Sequence, residues 1–163
     1  MTKSGNLGII SSMDIYTVEK WMDRALSLAG EAGARGEVPV AALVMRRGEV
    51  LAEGTNARQL GGDPLAHAEM AALRAAAGKL GGWNLSGCDL VVTLEPCAMC
   101  TGAILQAHID RIIFGAYDAK AGCCGSVYNL PEDERFPARA QVIGGVRQEA
   151  AAALLNAFFK ERR

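Results

Sequence analysis

An excess of charge of either sign is what this chain lacks most plainly: 17 Lys and Arg stand against 18 Asp and Glu, a net charge of -1. A domain that holds nucleic acid by bulk attraction shows a strong basic excess, so composition alone points to no such partner. Aromatic residues are scarce at 6%, and there are only two histidines, His67 and His108, which leaves little imidazole with which to close a metal cage. No run approaches the ~20 apolar residues of a membrane span. The Gly8-Ile9-Ile10 patch is too short for the core of a secretion signal. The five cysteines are odd in number and include the adjacent pair Cys123-Cys124, which argues against a secreted disulfide framework. A reducing cytoplasm is the expected setting, with Cys88, Cys123 and Cys124 as small apolar fillers.

What is present is an ordinary globular mixture. Half of the 163 residues are hydrophobic, and a chain of this length buries roughly 70% of its unfolded surface in one domain. Residues 1–12 are aperiodic and are expected to be a disordered N-terminal extension, with Met13 as an alternative start; the folded domain is expected over 13–163. Val18, Trp21, Met22, Ala25, Leu28 or Ala29, and Ala32 recur at helical spacing from Asp14 onward, and Gly33 and Gly36 close that helix. Val38 to Met45 reads as a strand that turns at Arg47-Gly48 and pairs with Val50 to Glu53. A polar loop from Gly54 to Pro64 precedes a helix from His67 to Ala77, closed by Gly78. Leu90 to Thr93 and Arg111 to Gly115 read as strands on either side of a helix from Cys97 to Ala107. The stretch from Asp118 to Pro137 is rich in loop residues, and Val146 to Lys160 forms a last amphipathic helix. The order α-β-β-α-β-α-β-(β)-α predicts an α/β fold with helices on both faces of a central sheet. A two-residue turn joins antiparallel strands, so the sheet must be mixed.

Two short motifs carry chemistry: His67-Ala68-Glu69 and Pro96-Cys97-Ala98-Met99-Cys100. Cysteines three apart at a helix start share one face. The partial positive charge of that terminus favours thiolate, the form that ligates zinc. His67, Cys97 and Cys100 make three protein ligands, one fewer than a closed structural site uses, which leaves a position for water as in catalytic zinc sites. His108, late on the following helix, is poorly placed to be the fourth. Glu69 is not needed as a ligand, and a carboxylate beside an activated water can take its proton and pass it to a leaving group. This is the logic of hydrolytic deamination, in which hydroxide attacks an amidine-like ring carbon, a ring nitrogen is protonated and ammonia departs. Cys-x-x-Cys alone marks many zinc and redox sites, and a lone His on an alanine-rich helix is usually packing. The combination is far more specific, because His-x-Glu with Pro-Cys-x-x-Cys is the signature of zinc nucleobase deaminases.

From about Met13 onward the sequence resembles the bacterial tRNA-specific adenosine deaminases, which convert the wobble adenosine of a tRNA anticodon to inosine. The resemblance runs through Gly36-Glu37-Val38-Pro39-Val40, Asp63-Pro64-Leu65-Ala66-His67-Ala68-Glu69 and Thr93-Leu94-Glu95-Pro96-Cys97-Ala98-Met99-Cys100. It continues in Phe114-Gly115-Ala116-Tyr117-Asp118-Ala119-Lys120 and Phe158-Phe159-Lys160-Glu161-Arg162-Arg163. It implies a three-layer α/β/α, cytidine deaminase-like fold with a mixed five-stranded sheet. It also implies one Zn2+ per chain on His67, Cys97 and Cys100, and Glu69 as the proton shuttle. Asn56, Ala68 and Leu94 would line the base pocket, Asp118 would meet the nucleotides flanking the target, and Phe159 and Arg162 would meet the anticodon stem-loop. A homodimer is implied as well. Ala41 departs from the family, which often has glycine there. On local grounds Asn56 reads equally well as a turn former, Asp118 as a turn carboxylate, and one of Phe158 and Phe159 as core.

Two rivals share the motifs. A small-molecule deaminase of guanine or cytosine would use the same zinc chemistry, since fold does not dictate substrate. The feature against it is the basic C-terminal helix beside the Asp118 loop: from Arg135 to Arg163 six Lys and Arg face only Glu149 and Glu161. A zinc-stabilised RNA-binding module without catalysis would have no use for Glu69.

Overall fold

The computed structural model describes residues 13–163; the extension expected at residues 1–12 lies outside the described residues. The first helix, α1 (Ile15–Ala34), starts at Asp14, whose carboxylate accepts the Tyr16 N–H at 3.1 Å, a common N-cap bond. Its buried stripe is Val18, Met22, Ala25, Leu28, Ala29 and Ala32, the face that the spacing predicts. Strands β1 (Ala41–Arg46) and β2 (Glu49–Thr55) follow, joined by Arg47 and Gly48 at φ 53° and 79°. Two successive positive φ values suit the right-handed twist of a tight hairpin.

The strand expected from Val38 begins only at Ala41. Pro39 has no N–H to give to a ladder, and the Val40 N–H turns back to the Val38 carbonyl at 2.8 Å. The polar loop after β2 contains one helical turn, α2 (Arg58–Gly61). Helix α3 (Ala68–Leu80) runs through Gly78, the closure that the sequence suggests, and stops at Gly81, φ 73°. A left-handed cap requires positive φ, which Gly81 adopts and Gly78 does not. Strand β3 (Cys88–Leu94), helix α4 (Ala98–Gln106) and strand β4 (Arg111–Ala116) form a parallel crossover. Beyond a long loop, β5 (Gln141–Ile143) adds to β4, and α5 (Gln148–Glu161) closes the chain. Helix α5 begins two residues later than expected because Arg147 stands at φ 55°. From there its guanidinium reaches Asp23 on α1 at 3.0 Å.

The sheet order is β2-β1-β3-β4-β5, with β1 antiparallel to both neighbours and the rest parallel. Side chains alternate across it. Ala42, Val44, Leu90, Val92, Ile112 and Phe114 pack with α3 and α4 on one face. Ala41, Leu43, Met45, Val91 and Ile113 pack with α1 on the other. The three-layer α/β/α arrangement with a mixed five-stranded sheet is therefore as expected. One close approach sets the working end: a side chain at Gly54 on β2 would overlap the Ala68 carbonyl and lie 2.6 Å from the Ala72 nitrogen. Its absence lets the start of α3 rest directly on the sheet.

Candidate zinc centre and active site

The proposed ligands stand where two helices begin. His67 is the N-cap residue of α3 and Cys97 that of α4, both extended in backbone, and neither side chain caps its own helix. The first carbonyls still enter the helices, with Ala71 N–H on His67 O at 3.1 Å and Thr101 N–H on Cys97 O at 2.9 Å. The side chains are thus turned outward from two fixed helix ends. His67 Nδ1 lies 3.6 Å from Cys97 Sγ and 3.4 Å from Cys100 Sγ, and the three ligand atoms all fall within 4.8 Å of one another. Tetrahedral zinc with ordinary Zn–S and Zn–N bonds separates sulfur from nitrogen by about 3.5 Å, so the set has the right span as well as the right chemistry. His108 lies beyond the end of α4 at φ 60° and packs on Trp83, ring centroids 5.5 Å apart. It takes no part, as the sequence suggests.

The thiols differ sharply. Hydrogen bonding from Cys100 holds Cys97 down at about 5, against burial. The same bond, with burial and the neighbouring Glu69, drives Cys100 well above the ordinary thiol range. The two sulfurs are thus pushed in opposite directions by their shared hydrogen bond, and a divalent cation would supply the charge for both to ionise. Glu69, in the first turn of α3, is 4% exposed. Burial pushes its carboxyl up to about 7 and the Cys97 thiolate adds to this, while its own backbone N–H, His67 and Cys100 pull the other way. A carboxyl balanced near neutrality suits a group that must both take and return a proton.

The pocket residues implied by resemblance are placed less uniformly. Ala68 is fully buried at the start of α3, and Leu94 is half-buried at the end of β3 opposite Ala116. Asn56 Oδ1 accepts the Arg58 N–H at 2.9 Å, so the turn-forming reading holds for its carbonyl. Asp118 Oδ1 likewise accepts from the backbone of Lys120 at 3.0 Å and Ala121 at 3.1 Å. Phe158 is the core member of its pair and Phe159 the exposed one, at 8% and 49%. Arg162 stacks on Phe158, its guanidinium carbon 3.5 Å from the ring centroid. Phe159 and Arg162 share a cavity of about 720 Å³ with Lys120, Asn156, Lys160 and Arg163. The loop that follows Asp118 and the terminal helix therefore form one basic surface.

Sequence reasoning passed over Glu37 and Glu95, which are 1% and 2% exposed. Glu37 accepts the N–H groups of Gln59 at 3.2 Å and Leu60 at 3.0 Å, tying α2 down. Glu95 accepts the N–H groups of Asp118, Cys124 and Ser126. For Glu95 the available signal was a carboxylate directly between an apolar strand and a proline, since a buried charge requires partners. Cys88, Cys123 and Cys124 are all buried, and burial raises each thiol, Cys124 to about 12.

Residues 15–116 match the cytidine and deoxycytidylate deaminase zinc-binding region, and the chain belongs to that family. Within it, the chain is 42% identical to the tRNA-specific adenosine deaminase of Bacillus subtilis, over 89% of this chain and 90% of that one. A solved chain from structural work on tRNA:A34 deaminases, which edit A to I at the wobble position, superposes with a TM-score of 0.80. It is 38% identical and covers 83% of this chain and 99% of its own. The guanine deaminase of Nitrosomonas europaea superposes at 0.74 with 31% identity, covering 86% of this chain and 83% of its own.

Proposed function

We propose that this protein hydrolyses the wobble adenosine of a tRNA anticodon to inosine, releasing ammonia. Support comes first from the likeness to tRNA:A34 deaminases over most of the chain. The observation that carries the reading within the molecule is the basic cavity around exposed Phe159, built from Lys120, Lys160, Arg162 and Arg163. An enzyme acting on a free base has no use for cations and an open aromatic face outside its pocket, whereas a single-stranded loop is held by phosphate contacts and base stacking.

His67, Cys97 and Cys100 hold the zinc, one ion per chain. Once bound, the metal supplies Lewis-acid chemistry that makes water a nucleophile at neutral pH. Glu69 accepts the proton of the attacking water and delivers it to the ring nitrogen, then assists departure of ammonia. The net change replaces C–NH2 by C=O, with one water consumed. Asn56 presents its amide to the purine while its carbonyl stays on Arg58, and Ala68 and Leu94 form the pocket wall. Asp118 meets the flanking nucleotides; Phe159 and Arg162 meet the stem-loop. The enzyme is read as a cytoplasmic homodimer. No described helix is long and apolar enough to cross a membrane.

Guanine deamination is the second reading, favoured by the 31% identical guanine deaminase structure. Purified protein incubated with an anticodon stem-loop carrying a wobble adenosine, and in parallel with free adenine, guanine and cytosine, separates the two. Inosine in the stem-loop with the free bases untouched is expected; ammonia from guanine alone would replace the tRNA reading. Sedimentation of the same preparation tests the dimer.

A further inference from the structure

Between β4 and the 3-10 turn at Leu130–Glu132 the chain has neither helix nor strand, apart from a single bridge between Cys124 and Asn129. Its backbone donors must be satisfied some other way, and one side chain from outside the loop accepts three of them. Glu95 Oε2 accepts the Asp118 N–H at 2.9 Å and the Ser126 hydroxyl, while Oε1 accepts the N–H groups of Cys124 at 3.1 Å and Ser126 at 2.9 Å. The next residue continues the pattern, because the Pro96 carbonyl accepts the Cys123 N–H at 2.8 Å. Cys97 follows immediately. The same two residues therefore finish β3, launch a zinc ligand and hold the loop that carries Asp118 and Lys120. Gly122 is fitted to this arrangement: a side chain there would overlap the Glu95 carboxyl and lie 2.6 Å from the Asp118 carbonyl.

We propose that Glu95 is a positioning residue for RNA, fixing the 118–126 loop so that Lys120 stands against Phe159 and Lys160 as one binding surface. This rests on the tRNA reading above. Glutamine shows why a carboxylate is needed. Its oxygen can replace Oε1, and its amide can donate to the Ser126 hydroxyl, but the Asp118 N–H then faces another donor. The first residue of the loop is the one released.

The experiment uses the zinc-loaded full chain as wild type, Glu95→Gln and Gly122→Ala; the second variant crowds the carboxyl without altering it or any ligand. Three quantities are read: the Kd for an anticodon stem-loop, the single-turnover rate at saturating RNA, and bound zinc. Both variants are expected to bind about tenfold more weakly, the equivalent of one unmade buried hydrogen bond, with zinc and saturating rate retained. Faster amide exchange across 118–126 should accompany the weaker binding. Should Glu95→Gln fail to fold, Gly122→Ala and Ser126→Ala carry the test. Unchanged Kd in the variants overturns the positioning role, as does loss of zinc and saturating rate in step with melting temperature while Kd holds. A wild type that does not bind the stem-loop overturns the tRNA reading and the positioning role with it.

Discussion

Glu37 and Glu95 at the loops, and Glu69 at the zinc centre, are buried to within a few per cent of one another, yet their surroundings differ in kind. The loop carboxylates face backbone N–H groups, two from α2 for Glu37 and three from the 118–126 loop for Glu95. Their lone pairs are committed, and each pins a segment with little secondary structure of its own. Glu69 faces Cys97, Cys100 and His67, and burial first, with Cys97 adding to it, lifts its carboxyl to about 7. Burial alone does not set the protonation of a carboxylate; what it is buried against does. The cations on the basic surface divide in the same way. Arg162 is stacked on Phe158 and donates to the Phe158 carbonyl at 3.4 Å, whereas Lys120 and Lys160 are exposed.

Removing a ligand tests the zinc side hardest. Cys97→Ala and His67→Ala should each lose metal and activity together, and lower the melting temperature, because one ion serves both site and fold. Metal analysis with a thermal melt reads all three; a variant that stays active with zinc absent would break the assignment. Glu69→Ala is expected to keep near-stoichiometric zinc and lose at least ~100-fold in single-turnover rate. Glu37→Gln should do the reverse, costing about 1–3 kcal/mol of stability for the unmade bonds to α2 while sparing zinc and the saturating rate. Denaturant unfolding checks it, and a rate loss matching that of Glu69→Ala would erase the distinction between the two kinds of glutamate. The smallest effects are expected among the cations. Lys120→Ala and Lys160→Ala should each flatten the log-log salt dependence of stem-loop binding by about 0.7–0.9 for every phosphate no longer neutralised. Arg162→Ala should weaken binding with less change in slope, since its guanidinium packs on Phe158.

The zinc set was legible because each half of it is local. His67 and Glu69 lie two residues apart, Cys97 and Cys100 three apart, and helix geometry places the side chains within each half. The hairpin at Arg47-Gly48 and the stripe of α1 were legible for the same reason. The start of β1 and the end of α3 were misplaced where backbone chemistry overruled the apolar pattern, at Pro39 and at Gly81. Helix α2 and the register of β5 left almost no periodic trace, being four and three residues long.

By itself the sequence determined the metal-ligand set, a carboxylate beside it and the α/β layering, all of which follow from spacings of a few residues and from helix and strand periods. Only the tertiary structure decided which buried carboxylates anchor loops and which cations gather around Phe159. Glu95 meets its partners 23 to 31 residues away, and Glu37 meets α2 22 to 23 residues away. Such pairings obey no short period; they arise because sheet order and helix packing bring a buried carboxylate to backbone donors that nothing nearer in the chain can satisfy.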